Sequence, residues 1–233
     1  MDLGIKGKNA LVTGGSHGIG RAIVSSLVKE GCKVITCARG ELEEHNITEP
    51  FVFVRADVTV LEDIKRVFQA VIDYFGTLHI LVNNVGGGGR WGLEAAEETS
   101  EEVWREVYEK NAMAAIRFTM RAIPYMREQK WGRVVTISSI HGREAGGRPW
   151  FSMAKAAEIA LMKSLATDRR YKGITFNTVA PGLIKVGNPA EEESLCYGSP
   201  EDVANVVTFL CSPNAKWING ACLVVDGGEG RSF

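Results

Sequence analysis

Asn9-Ala10-Leu11-Val12-Thr13 runs straight into Gly14-Gly15-Ser16-His17-Gly18-Ile19-Gly20, and an amphipathic stretch over residues 21–30 follows. No other feature narrows the possible folds as far. A short apolar run closed by glycines reads as a buried strand, and Ile23, Leu27 and Val28 give the next stretch an apolar helical side. Strand, tight turn and helix in that order open a βαβ unit. The alternation then continues. Residues 33–38, 51–56, 78–82, 133–137, 174–179 and 222–226 read as further strands, and 61–75, 101–129 and 200–210 as helices between them. Strands alternating with helices build a parallel sheet covered on both faces. The expectation is an α/β fold: one Rossmann-type, doubly wound domain over residues 1–233, with a parallel seven-stranded sheet and helices on both faces.

Composition excludes several classes of function. A chain of 233 residues, 45% hydrophobic and 24% charged, suits a single domain with a sizeable core. A net charge of −1 with no basic stripe argues against nucleic acid as a partner. Met1 to Lys6 shows no apolar stretch behind a basic one, so no export signal is expected. No run approaches the roughly 18 apolar residues that span a bilayer. The five cysteines form no Cys-x-x-Cys pair and read as reduced thiols of a cytoplasmic protein. His17, His45, His79 and His141 are scattered, so no metal site is expected.

The glycines of the first turn have separate physical tasks. Gly14 lets the chain turn tightly, Gly18 lets backbone N–H groups approach a pyrophosphate, and Gly20 lets the helix pack close to the sheet. The helix N-terminus then presents its positive dipole end to phosphates. At the end of the second strand, Cys37-Ala38-Arg39 offers no carboxylate for a ribose 2′-OH, whereas Arg39 suits a 2′-phosphate. His17 adds a possible second donor. The residues therefore favour NADP(H) over NAD(H).

Further along, Ser138-Ser139 closes the fifth strand, and Arg148-Pro149-Trp150-Phe151-Ser152-Met153-Ala154-Lys155 opens a helix. Phe151 and Lys155 are four apart and share one face of it. With Thr13-Gly14-x-x-x-Gly18-x-Gly20, Asn83-Asn84-Val85-Gly86 and Asn177-Thr178-Val179-Ala180-Pro181-Gly182, this pattern resembles the short-chain dehydrogenase/reductase family. The resemblance runs from Leu11 to Gly228. It implies cofactor contacts at Gly14, Ser16, His17, Gly18, Ile19, Gly20, Arg39, Asp57, Val58, Asn84, Val85, Gly86, Lys155, Pro181, Gly182 and Ile184. It implies a catalytic set of Asn111, Ser139, residue 151 and Lys155. Gly142, three after Ser139, favours Ser139 over Ser138 as the carbonyl-binding serine.

In that family a hydride passes between the nicotinamide and a carbonyl or alcohol carbon. A tyrosine gives or takes the proton, a lysine lowers the tyrosine's pKa and holds the ribose, a serine orients the oxygen, and an asparagine holds a relay water. Here Phe151 stands in the tyrosine's place, and a phenyl ring carries no proton to exchange. Ser139, His141, Tyr197 or a lysine-held water are the substitutes within the chain. Three readings follow. The chain is an NADP(H)-dependent oxidoreductase with an altered proton donor, a silent NADP(H)-binding sensor or assembly protein, or a reductase in which Phe151 was introduced. The residues do not separate the first from the third, and both are preferred to the silent binder, because Ser139 serves chemistry more than cofactor binding.

The glycine-rich loop before Arg90 and Trp91 lies where a strand ends, so those two, with His141 and Trp150, are candidate substrate contacts. The helix after Lys155 is apolar almost all round, which suggests burial on several sides, and the family packs this helix into dimers and tetramers. A homodimer or homotetramer acting on a small carbonyl or alcohol is the expectation, without nucleic acid or membrane. A trimmed segment over 40–50, Val186 in place of a common threonine, and a short acidic lid with Glu191, Glu192 and Glu193 depart from the family.

Overall fold

The computed structural model describes residues 2–40, 51–93, 95–185 and 197–232. The trimmed 41–50 segment, Val186, Glu191, Glu192, Glu193 and Cys196 lie outside the described residues. Seven parallel strands form one sheet: β1 Asn9–Thr13, β2 Lys33–Ala38, β3 Phe51–Arg55, β4 Ile80–Asn83, β5 Gly132–Ile137, β6 Ile174–Pro181 and β7 Cys222–Val225. Their order is β3-β2-β1-β4-β5-β6-β7, so the chain reverses direction across the sheet after β3. That reversal opens a crevice beyond the carboxyl ends of β1 and β4.

Successive side chains of a strand point to opposite faces, and both faces here are apolar. Ala10 and Val12 join one core with Ile23 and Leu27 of α1 (Gly18–Lys29) and Val203 and Val207 of α6 (Pro200–Leu210). Leu11, Leu81 and Val134 join the other. There they meet Ile64 and Phe68 of α2 (Leu61–Phe75), and Phe118 and Met126 of α4 (Ala114–Glu128). Leu11 stands opposite both Ile35 and Leu81, so the central strand is apolar on every side. Truncating a wholly buried leucine such as Leu81 to alanine costs about 2–5 kcal/mol.

Helix ends follow local chemistry. Ser199 and Asp202 cap α6 reciprocally, the serine accepting from Asp202 N at 3.3 Å and the carboxylate from Ser199 N at 2.7 Å. α2 ends at Gly76 with φ +73°, the left-handed turn that stops a helix.

One expectation changes. The helix expected over 101–129 is three pieces: α3 Glu101–Tyr108, a π-helical turn Glu109–Met113, and α4. Apolar spacing alone does not separate them, because the π-turn adds a residue without breaking the helix. The helix α5, Pro149–Ala166, is buried by its own chain on one side. It buries Trp150, Ala154, Lys155, Glu158 and Met162, while Met153, Ala156 and Ala160 are exposed. Among the described residues no helix is long and apolar enough to cross a membrane, and no cluster of metal-ligating side chains occurs.

Candidate active site

The first turn is built by backbone crowding. Gly14 has φ +75°, and a Cβ on Gly20 would run into the Gly14 carbonyl oxygen and the Asn84 amide. α1 begins at Gly18 rather than residue 21, so Gly18 and Gly20 belong to its first turn. Thr13 Oγ1 accepts from Asn84 N at 3.0 Å and Val85 N at 3.1 Å. The Asn84 amide donates to the Thr13 carbonyl at 2.9 Å. These bonds tie the turn to the end of β4.

Beside it lies a cavity of about 1150 Å³. Gly14, Ser16, His17, Gly18, Ile19, Gly20, Arg39, Asp57, Val58, Asn84, Val85 and Gly86 all line it. The N-terminus of α1, the glycine cradle and Arg39 fit a dinucleotide. The Asp57 carboxylate is already engaged, accepting from Thr59 N at 2.9 Å and Thr59 Oγ1 at 2.7 Å, so Asp57 shapes the wall. Pro181, Gly182 and Ile184 stand at the end of β6 outside this wall. Gly182 N donates to Val225 O at 3.0 Å, and Ile184 bridges to Gly198.

Lys110 is a lining residue that the sequence reasoning missed. Its ammonium lies 4.9 Å from the Trp91 ring centroid, and its pKa is lowered by burial first and then by Arg39. With Arg21 and Arg39 it brings three cations to the cleft wall, alongside the carboxylates of Asp57, Glu106 and Glu109. A lysine beside Asn111 in an otherwise buried helix pattern was the available signal.

Asn111 and Lys155 converge on Gly86. A Cβ there would lie 2.7 Å from Asn111 Oδ1 and 2.8 Å from Lys155 Nζ. Asn111 is fully buried inside the π-turn. Its amide donates to Val107 O at 2.7 Å and Gly87 O at 2.9 Å, and its oxygen accepts from Gly87 N at 3.1 Å. The side chain therefore braces the glycine loop, and both its amide hydrogens are engaged by protein. π-turns often mark functional sites, and this one aims Asn111 inward.

Ser138 Oγ donates to the Lys155 carbonyl at 2.9 Å, which commits its proton. Ser139 Oγ instead accepts from His141 N at 3.2 Å, a bond that leaves its own hydrogen for another acceptor. The two serine hydroxyls are therefore bonded differently. Lys155 is buried, donates to Ile137 O at 2.9 Å, and pairs with Glu158 at 3.0 Å. Glu158 is a second residue the sequence reading passed over, hidden among the apolar residues of its helix.

Phe151 faces a smaller cavity of about 430 Å³ with Gly89, Arg90, His141 and Arg148. Its ring centroid is 5.8 Å from Lys155 Nζ. Of the four candidate substrate contacts, Arg90 and His141 line this cavity. Trp91 lines the larger one. Trp150 is fully buried and packs edge-on against Trp104 at 5.4 Å, so it belongs to the core. Cys32, Cys37, Cys211 and Cys222 are free thiols.

Residues 8–194 match the short chain dehydrogenase family. The chain belongs to that family. It is an oxidoreductase of the alcohol–carbonyl class. The 3-oxoacyl-[acyl-carrier-protein] reductase FabG of Vibrio cholerae is 33% identical over 97% of this chain and 98% of its own. FabG of Escherichia coli K12 is 34% identical over the same shares. The crystal structure of gox2181 superposes with a TM-score of 0.85 at 28% identity, covering 97% of each chain.

Proposed function

We propose that this short-chain dehydrogenase is an NADP(H)-dependent carbonyl reductase in which Phe151 stands at the tyrosine's place and another group supplies the proton. The observation that carries the reading is the convergence of Asn111 and Lys155 on Gly86, a wall residue of the large cleft. Arg39 in the cleft wall supports NADP(H), through charge-assisted bonds to a 2′-phosphate. Bound there, the cofactor supplies a hydride to the carbonyl carbon. Ser139 orients the carbonyl oxygen with its uncommitted hydroxyl hydrogen. His141 lines the same small cavity as Phe151 and is the candidate for the proton, since an imidazole can serve as general acid or base.

The relatives' 3-oxoacyl thioester is the first substrate class to try. Arg90, Arg148 and His141 give the small cavity a polar, cationic mouth, which favours a substrate with a polar or anionic tail. The exposed Met153, Ala156 and Ala160 support a subunit contact along α5, in a homodimer or homotetramer. We place the chain, a single domain, in the cytoplasm. One observation favours the silent-binder reading: Phe151 carries no exchangeable proton at the tyrosine's place.

The test follows NADPH oxidation with 3-oxoacyl thioesters and simple ketones, for the chain and for Phe151→Tyr, with NADPH binding measured in both. Turnover by the unchanged chain supports the reductase reading with its donor elsewhere. NADPH binding without turnover in either protein supports the silent binder. Failure to bind NADPH overturns both.

A further inference from the structure

We propose that Glu158 is a positioning residue for Lys155: its buried carboxylate fixes the ammonium and cancels its charge, so the site is built to work without a lysine-activated phenol. The inference deepens the reductase reading and rests on its placement of Lys155 in the active site.

The geometry is direct. Glu158 is 1% exposed and Lys155 4%. Both carboxylate oxygens lie within hydrogen-bond reach of Nζ, at 3.0 and 3.2 Å, and Ile137 O accepts a further bond at 2.9 Å. The three-residue spacing puts both groups on one side of α5. An ammonium bonded in this way has little freedom to swing.

Charge matters more than tethering. A lone buried ammonium 5.8 Å from the ring at position 151 would strongly favour an anion there. A carboxylate on the same ammonium removes most of that field. Burial lifts the Glu158 carboxyl to about 7, with Lys155 pulling the other way. Above that pH, where a phenol ionises, Glu158 is an anion and the pair is neutral.

Lys155 is the charged group whose field reaches Glu158 among the described residues. β6, packed on the same helix, has no titratable side chain. Charges on the other packed elements are engaged elsewhere: Glu101 with Arg105, Glu109 with Arg117, Lys110 over Trp91, Arg133 with the Ser212 carbonyl, and Arg170 with Asp168. Glu106 lines the large cavity and His141 the small one.

The test is ultraviolet difference titration of the phenol introduced by Phe151→Tyr, in that variant and in Phe151→Tyr/Glu158→Gln, each against its parent with Phe151 intact. With the carboxylate gone, the phenol should titrate about one unit or more lower. The same midpoint in both variants overturns the proposal. If Phe151→Tyr/Glu158→Gln does not fold, Phe151→Tyr/Lys155→Met/Glu158→Gln, which leaves neither buried charge alone, replaces it. Removing a pair of zero net charge should leave the midpoint nearly where Phe151→Tyr puts it, and a rise of about two units overturns the proposal. The titration needs no substrate, so the two readings fail separately. A chain that reduces nothing but shows the lowered midpoint loses the reductase reading and keeps this one.

Discussion

Asn111 and Gly87 exchange two hydrogen bonds, Gly87 N donating to Oδ1 at 3.1 Å and Nδ2 donating to the Gly87 carbonyl at 2.9 Å. A helix side chain thus holds a loop that would otherwise be free in φ, since Gly87 sits at +126° and Gly88 at +92°. Asn111→Ala leaves the Gly87 and Val107 carbonyls without this donor, at about 1–3 kcal/mol for each buried group. Denaturant unfolding should show that loss, and NADPH titration about a tenfold weaker Kd, because Gly86 lines the cleft. Unchanged affinity would show that the loop keeps its shape without the brace.

Cofactor choice should turn on Arg39. Charge-assisted bonds to a phosphate contribute about 1.5–3 kcal/mol, so Arg39→Asp should weaken NADPH binding by about 10- to 100-fold. NADH affinity should hold or improve, since the carboxylate can accept from a 2′-OH. Fluorescence titration with both cofactors reads the ratio. Equal losses for the two would remove Arg39 from the ribose.

Gly20→Ala tests the cradle. Its methyl group collides with the Gly14 carbonyl and the Asn84 amide, so the turn must move away from β4. Overpacking of this kind costs about 1–3 kcal/mol. Thermal unfolding should register the loss, and NADPH binding should fall with it, because the same backbone lines the cleft. A stable Gly20→Ala variant with normal binding would mean that the turn relaxes.

His141→Gln separates the proton donor from the rest of the site. The amide keeps much of the shape and polarity but exchanges no proton near neutral pH. Removal of a general acid typically lowers kcat by about 10²–10⁴. KM and NADPH affinity should change little. A kcat close to the parent's would pass the role to Ser139 or to a water beside Lys155.

Glu158 should also be visible in stability against pH. Its carboxyl rises from 4.5 to about 7 through burial, which Lys155 offsets only in part. The folded chain then keeps a proton that the unfolded chain has lost. The stabilising contribution is complete below the unfolded value and disappears as pH rises through about 7. The free energy of unfolding from denaturant titrations should therefore fall between about pH 5 and about pH 8, by on the order of 1–3 kcal/mol, and Glu158→Gln should flatten that fall. An equal fall in the variant would assign the titration to another group.

The sequence by itself determined the fold. Seven apolar strand runs and the glycine turn after β1 are local signals, and the sheet forms where they imply, with Gly14, Gly20 and Arg39 on the wall of one cavity. The strand residues are apolar on both faces, so a one-residue error in a boundary leaves the topology intact. The 61–75 and 200–210 helices were legible for the same reason, since each carries its own stripe or cap.

What only the tertiary structure decided is how side chains far apart in sequence meet. Trp150 looked like a substrate contact beside Phe151, yet Trp104 and Val107 bury it. The π-turn at Asn111 exists because one amide bonds both to Val107 and to a loop 24 residues away, which no periodicity encodes. Ser138 donates to the Lys155 carbonyl from another element, whereas Ser139 accepts from His141 N within its own turn. Lys110 and Glu158 read as ordinary helix charges until the fold sets one over Trp91 in the cleft and closes the other against Lys155. A hydrophobic pattern records which face is buried. It does not record which polar group on that face finds a partner, and in this site the partners fix the charge at Lys155.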